Sequence, residues 1–154
     1  MDKLFGLVVV NAIVFLSIFF MCKKRLSKNE IYITVLFSAF LSLILDIIMG
    51  LFFDTFFYFT KGLEPKDLIF HILIYPLTNS LFLNYFPFEK SKIKKIFHIF
   101  LWTILSLGIE YIYIKTGIFV YQNWTFILSA ICYPILFVIL YLHLLWIRNY
   151  LQKN

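Results

Sequence analysis

Residues 31–53 read IYITVLFSAFLSLILDIIMGLFF, and this segment decides the fold class. Its apolar residues follow one another without the alternation of period two that a membrane β-strand requires. About 20 apolar residues in a helix rise about 30 Å, which is the thickness of the hydrocarbon core of a bilayer. The segment therefore predicts a transmembrane helix, in which Asp46 is the one formally charged residue.

The composition of the whole chain also indicates that lipid is its main solvent. Of the 154 residues, 62% are hydrophobic and only 14% are charged, whereas about 25% are charged in a soluble domain. A water-soluble globule is excluded, because so few charged side chains cannot cover so much apolar surface. The net charge of +6 would suggest nucleic acid in a soluble protein. Here the basic residues lie between apolar segments, so no nucleic-acid partner is expected.

Four further apolar segments predict four further membrane helices. The five predicted helices cover about residues 4–21, 31–53, 68–86, 96–114 and 124–147. A basic cluster follows the first segment rather than preceding it, which is unlike a cleaved signal peptide. We therefore expect an all-α, polytopic bundle of five helices that forms a single transmembrane domain over residues 1–154.

Basic residues collect on one side of the predicted membrane. Ten of the fourteen Lys and Arg residues lie there: Lys23, Lys24, Arg25, Lys28, Lys90, Lys92, Lys94, Lys95, Arg148 and Lys153. The other side carries Lys3, Lys61, Lys66 and Lys115. Short loops rich in Lys and Arg are retained in the cytoplasm. The pattern predicts that the N-terminus is outside and the C-terminus is in the cytoplasm.

Two carboxylates and a histidine lie in the outer halves of the predicted helices. From a rise of about 1.5 Å per residue, Glu110 lies about 6 Å, His71 about 5 Å and Asp46 about 10 Å below the outer helix ends. Such groups are costly in lipid and face the bundle interior or a wet cavity. We expect Asp46, His71 and Glu110 to face one another in an outward-opening polar cavity.

Further polar residues share helix faces with these three or follow Glu110 in an outer loop. We expect them to line a binding site: Tyr75, Thr78, Asn79, Ser106, Tyr113, Tyr121, Asn123 and Trp124. The loop over residues 115–124 is predicted to form a lid. Pro76 has no N–H to donate to the carbonyl of Ile72, which predicts a kink between them.

The predicted cluster has two interpretations. In the first, His71 acts as general acid, general base or nucleophile, Glu110 orients it, and Asp46 is a second carboxylate. In the second, the charged groups form a buried pair that fixes helix register and has no chemical role. No Cys and His spacing resembles a zinc site, and neither a metal nor a cofactor is expected. Cys22 and Cys132 are predicted to be free thiols, because they lie at different depths.

Several short motifs resemble a known family. They are His71, Tyr75-Pro76 and Glu110-Tyr111, followed by Gly117, Tyr121, Asn123 and Trp124 before a last helix with Pro134. Over about residues 46–147 this pattern resembles a family of small, uncharacterised five-helix integral membrane proteins of spore-forming, low-G+C Gram-positive bacteria. The resemblance implies a multi-pass protein of the bacterial cytoplasmic membrane. The polar outward cavity is also similar, more loosely, to VanZ-like membrane proteins, which are proposed to act on lipid headgroups.

Three functions remain open from the sequence. The favoured one is a non-enzymatic membrane protein that binds a lipid headgroup, a small ligand or a partner through the outer cavity. The alternative is a membrane-embedded enzyme that acts on a phospholipid or lipid-linked substrate with His71 and Glu110. A small transporter is less favoured, because the polar residues cluster outside rather than along the whole depth. Membrane lipids are the expected partners, and a protein partner or a second copy of the chain is left open.

Overall fold

The chain folds as a bundle of five helices that is closed at one end by a short β-ribbon. A computed structural model describes residues 2–62 and 64–151, with side chains from residue 4 onward. The helices are α1 (Asp2–Met21), α2 (Lys28–Asp46), α3 (Tyr75–Asn84), α4 (Lys92–Thr116) and α5 (Phe126–Leu151). The predicted all-α, five-helix bundle is confirmed. Lys153, which was counted on the cytoplasmic side, lies outside the described residues, as does the side chain of Lys3.

Two of the helices contain π-helical turns. The end of α2 continues into a π-helix over Ile47–Phe52, and α3 is preceded by a π-helix over Phe70–Ile74 and a 3-10 turn over Pro65–Asp67. The second π-helix lies directly before Pro76, where the sequence predicts a kink. A proline has no N–H for the regular helical ladder, and a wider turn is one way in which a helix accommodates that loss.

Four helical segments are long and apolar enough to cross a membrane, by length and composition. They are Leu4–Met21, Lys28–Phe52, Lys92–Thr116 and Phe126–Leu151. The third helix is different, since its regular part has only ten residues and most of these are buried. It packs against α1, α2 and α5, in the middle of the bundle. The protein is therefore a multi-pass helical membrane protein whose shortest helix is surrounded by the longer ones.

One end of the bundle collects the basic connections, and we call it the basic end. Ser27 begins α2 with a capping box, in which the N–H of Ser27 donates to Glu30 Oε2 at 2.7 Å. The other oxygen of Glu30 accepts from Arg148 Nε at 2.5 Å, which joins α2 to the end of α5. The amide oxygen of Asn84 accepts from the N–H of Arg25 at 2.7 Å. These bonds hold the basic end together through side chains rather than through apolar packing alone.

The opposite end carries the β-ribbon, and we call it the ribbon end. Strands β1 (Phe56–Tyr58) and β2 (Phe119–Tyr121) pair antiparallel, with Phe57 opposite Val120. The sequence does not predict this ribbon, because three residues are too few to show an alternation and the partners are far apart in the chain. Strand β2 lies within the segment predicted to be a lid. The ribbon packs onto the bundle through its aromatic rings, and the Tyr58 and Phe70 rings are stacked at 4.4 Å.

Candidate functional site

The central feature of the ribbon end is a contact between Asp46 and His71. His71 Nε2 lies 3.2 Å from Asp46 Oδ2, and both side chains are buried. Asp46 is the last residue of α2 before its π-helix, and His71 lies within the second π-helix. Such wide turns are rare and are frequently found at functional sites. We call this contact the aspartate–histidine pair.

The imidazole of the pair also contacts Ser42. The hydroxyl of Ser42 donates to the carbonyl of Ala39 at 3.0 Å, so its oxygen is left to accept from His71 Nδ1 at 3.2 Å. Nε2 makes no bond of ordinary hydrogen-bond geometry with the described residues. The pair is therefore a close contact between the imidazole and the carboxylate rather than a well-directed hydrogen bond.

Two tyrosines continue from the pair. The Tyr58 hydroxyl donates to Asp46 Oδ1 at 3.3 Å and lies 2.7 Å from the Tyr75 hydroxyl. Because Tyr58 has one hydroxyl proton, Tyr75 is the donor in the second bond. Burial raises the pKa of Tyr58 well above its ordinary value, and the neighbouring Tyr75 and Asp46 add to that rise. Tyr58 is therefore a neutral donor that fixes the carboxylate in place.

Tyr58 is a site residue that the sequence does not indicate. It lies in β1, in a connection where no apolar periodicity shows which side chains turn toward the bundle. The residue is nonetheless only 5% exposed. The only signal in the sequence is the run of aromatic residues at 56–59, which is unusual for a water-exposed loop.

Glu110 lies in a second cluster rather than against His71. Its Oε1 accepts from the Ser129 hydroxyl at 2.6 Å and also from the Tyr121 hydroxyl. Trp124 Nε1 donates to Ser129 Oγ at 2.8 Å. Burial raises the pKa of Tyr121, and its bond to the Glu110 carboxylate contributes to the rise. We call Glu110, Tyr121, Trp124 and Ser129 the glutamate cluster.

The structure thus brings together two of the three residues that were expected to form one cavity. The reason is the packing of α4, which lies against α5 and β2, so the carboxylate of Glu110 meets side chains of those two elements. Tyr75 lies between the two centres and is influenced by the charges of both Asp46 and Glu110. Tyr133 is an electrostatic neighbour of both Tyr75 and Glu110.

Two of the other predicted binding residues, Thr78 and Asn123, make hydrogen bonds to backbone carbonyls of the protein. Thr78 Oγ1 donates to the carbonyl of Ile74 in its own helix at 2.7 Å. Asn123 Nδ2 donates to the carbonyl of Asp54 at 3.2 Å, which fixes the connection that follows β2. Three more are buried or half-buried on α3 and α4, and they are Asn79, Ser106 and Tyr113.

A cavity of about 120 Å³ opens beside the aspartate–histidine pair at the ribbon end. Its walls are Asp46, Gly50, Leu51, Asp54, Phe56, Phe57, Tyr58, Lys61, Gly62 and Asp67. Of the residues predicted from the sequence, Asp46 alone is in this set. We call the space the acidic cavity, because three carboxylates and one ammonium group line it.

The described residues contain no group of three or more His, Cys, Asp or Glu side chains that could hold a metal ion. Cys22 and Cys132 are free thiols, in agreement with the prediction.

Comparisons with protein-family models, with curated proteins and with solved structures find no match. The class of this protein therefore rests on its four long apolar helices, which define a multi-pass helical membrane protein. The resemblance of residues 46–147 to a family of small membrane proteins stays a prediction.

Proposed function

We propose that this protein is a membrane-embedded binding protein that holds a small polar group, from a lipid headgroup or a soluble ligand, in the acidic cavity. The observation that supports the proposal is the pair of buried carboxylates, Asp46 and Asp67, in the wall of an open cavity. Ionisable groups buried in a membrane protein are costly and mark functional sites. The volume of about 120 Å³ has room for several water molecules or one small headgroup.

Binding accounts for the geometry better than catalysis does. A general acid or base must reach its substrate directly or through one water. His71 Nδ1 is bonded to Ser42, Nε2 lies against Asp46 Oδ2, and His71 is absent from the cavity wall. The Glu110 carboxylate is bonded to Tyr121 and Ser129 instead of facing the cavity.

A second candidate is a membrane-embedded enzyme that acts on a phospholipid or lipid-linked substrate. One observation favours it: Asp46 touches both the cavity and His71. A proton can therefore pass between a bound substrate and the imidazole through the Asp46 carboxyl. This candidate predicts that cells that overproduce the wild-type protein have an altered lipid profile and that cells with Asp46→Asn do not.

Filling the cavity tests the proposed function. Leu51 lines the cavity and is 49% exposed, so Leu51→Trp adds bulk there without disturbing the core. Leu36→Trp is the matched control, because Leu36 is similarly exposed on the same helix but is not in the cavity wall. The melting temperature of each protein in detergent is measured with ethanolammonium chloride, tetramethylammonium chloride, ethylene glycol and sodium phosphate at matched ionic strength.

A ligand that binds only the folded protein raises its melting temperature. We expect at least one probe to raise the melting temperature of the wild type and of Leu36→Trp but not of Leu51→Trp. If no probe stabilises the wild type, or if Leu51→Trp responds as the wild type does, the proposed function is wrong.

We also propose that the protein lies in the bacterial cytoplasmic membrane with the ribbon end outside. The excess of Lys and Arg at the basic end supports this orientation, since short basic loops stay in the cytoplasm. The acidic cavity would then open toward the outer leaflet, where headgroups and extracellular solutes are both within reach.

A further inference from the structure

Asp67 has an unused carboxylate oxygen in the wall of the acidic cavity. The residue is 2% exposed, and its Oδ2 accepts from the N–H of Glu64 at 2.9 Å. Its Oδ1 is buried and has no hydrogen-bond partner within residues 2–62 and 64–151. A buried acceptor without a donor is destabilising, and native proteins contain few of them. Oδ1 therefore needs a hydrogen-bond donor that the described residues do not supply.

The charges around the cavity make that donor a cation. Asp46 Oδ2 lies 3.2 Å from His71 Nε2, and its Oδ1 accepts from the Tyr58 hydroxyl. Asp54 is compensated by Lys61, whose Nζ lies 2.7 Å from Oδ2. Within the part of the chain that the structure describes, Asp67 has no ion-pair partner.

Lys66, the residue before Asp67, forms its ion pair with a different carboxylate. The Nζ of Lys66 lies 2.6 Å from Glu64 Oε2 and 4.7 Å from the centre of the Phe59 ring. Burial raises the pKa of Asp67, as expected for a carboxylate that is poorly compensated in the absence of a ligand. Lys66 lowers this pKa only in part, and burial outweighs it.

The remaining walls suit an organic cation rather than a hydrated inorganic ion. Phe56, Phe57 and Tyr58 contribute aromatic surface, and the faces of aromatic rings attract ammonium groups. Gly62, which has a φ of +107°, lines the cavity without a side chain.

We propose that the acidic cavity binds a protonated primary amine, whose N–H groups donate to Oδ1 of Asp67 while its methylene groups pack on the aromatic wall. This inference rests on the proposed function and names the ligand class of the same cavity. A primary ammonium fits better than a quaternary one, because Oδ1 needs a hydrogen-bond donor. The amine is either the headgroup of a phosphatidylethanolamine or a free alkylamine.

Substitution of Asp67 tests the ligand class. Ethanolammonium chloride is titrated against the wild type, Asp67→Asn and the control Glu89→Gln, in which an exposed carboxylate at the other end of the bundle is removed. We expect the affinity to fall by about tenfold or more in Asp67→Asn, because a charge-assisted hydrogen bond is lost. It is expected to be unchanged in Glu89→Gln. Tetramethylammonium and ethylene glycol should each bind the wild type about tenfold more weakly than ethanolammonium does.

A second variant tests the inference independently if Asp67→Asn does not fold. Phe57→Leu keeps an apolar side chain in the wall but removes the ring. We expect it to lower the affinity for ethanolammonium several-fold. The inference would be overturned if Asp67→Asn bound ethanolammonium as tightly as the wild type does. It would also be overturned if the wild type bound ethylene glycol as tightly as ethanolammonium. Stabilisation of the wild type by phosphate or glycol alone would overturn it as well, and would leave the proposed function standing.

The source of the amine is decided in nanodiscs. Discs of phosphatidylethanolamine, but not of phosphatidylglycerol, should compete with ethanolammonium if the ligand is a lipid headgroup. If both kinds of disc leave ethanolammonium binding unchanged, the ligand is a free amine. Loss of ethanolammonium binding in phosphatidylglycerol discs would contradict recognition of an amine.

Discussion

His71 and Asp46 are 2% and 8% exposed, so separating them has a large energetic effect at the scale of single residues. His71→Ala leaves the Asp46 carboxylate buried without its partner. Breaking a buried pair in this way typically lowers the free energy of unfolding by about 3 to 5 kcal/mol. We expect His71→Ala to lower the free energy of unfolding by this amount in detergent. The double variant with His71→Ala and Asp46→Asn should lose less than the sum of the losses in the two single variants.

Ser42→Ala is the control for this cycle, because it removes a neutral hydrogen-bond partner of His71 without changing a charge. We expect it to lower the free energy of unfolding by about 1 kcal/mol. A His71→Ala protein that melts at or above the wild-type temperature would contradict a stabilising pair. It would favour catalysis, since functional residues are often kept at a cost in stability.

The stability of the protein should also depend on pH through Asp67. Burial raises the pKa of this carboxyl above its ordinary value of 3.8. Glu64 and Asp46 raise it by their charges, while the Glu64 N–H and Lys66 act in the opposite direction. The folded state therefore holds the proton more tightly than the unfolded state. The stability that follows is fully present below about pH 3.8 and is lost as the pH rises through the folded pKa.

We expect the melting temperature of the wild type, minus that of Asp67→Asn, to fall between pH 3.5 and 7 in the absence of amines. Melting in detergent across this range measures the difference. The melting temperature of the wild type minus that of Glu89→Gln, in which an exposed carboxylate is removed, should not change with pH. A wild-type advantage that grows with pH would show that the Asp67 carboxylate is already compensated in the folded protein.

At the scale of elements, the turn from α4 into the β-ribbon depends on one glycine. Gly117 ends α4 with a φ of +77°, in the left-handed region that a side chain disfavours. A Cβ there would meet nothing within 4 Å, so Gly117→Ala tests backbone conformation alone. We expect it to lower the free energy of unfolding by about 1 kcal/mol. Chemical unfolding in mixed micelles measures the change.

Gly108 in the middle of α4 provides the matched comparison. It also has open space around its Cβ position, but it has helical geometry. Gly108→Ala should be neutral or stabilising by up to about 1 kcal/mol, because alanine loses less entropy in a helix. Equal effects of the two changes would mean that the turn at Gly117 contributes nothing to stability.

The elements also separate what the sequence predicts from what it does not. The apolar runs predict the five helices well, because every backbone polar group in lipid must be bonded within its own helix. The π-helix before Pro76 has a local cause in the sequence. The π-helix after Asp46 has no such signal, and the pairing of β1 with β2 depends on where α2 and α4 end in space.

At the scale of the whole molecule, the proposed orientation can be tested with cysteine variants. Lys61 lies at the ribbon end and Lys94 at the basic end, and both are exposed. In a background that carries Cys22→Ser and Cys132→Ser, we expect Lys61→Cys to react with a membrane-impermeant maleimide in intact cells. Lys94→Cys should react only after the cells are permeabilised, because it faces the cytoplasm. The opposite pattern would reverse the orientation and turn the acidic cavity toward the cytoplasm.

The sequence by itself determined the solvent, the helices and the residues worth examining. Apolar runs of about 20 residues have one stable arrangement in lipid, and the rarity of charge within them makes Asp46, His71 and Glu110 conspicuous. The tertiary structure alone decided their partners. Helix rotation and packing, which depend on contacts between distant segments, place His71 against Asp46 and Glu110 against Ser129. The same contacts bring Tyr58 and Asp67, which lie between α2 and α3 in the chain, into the wall of the acidic cavity.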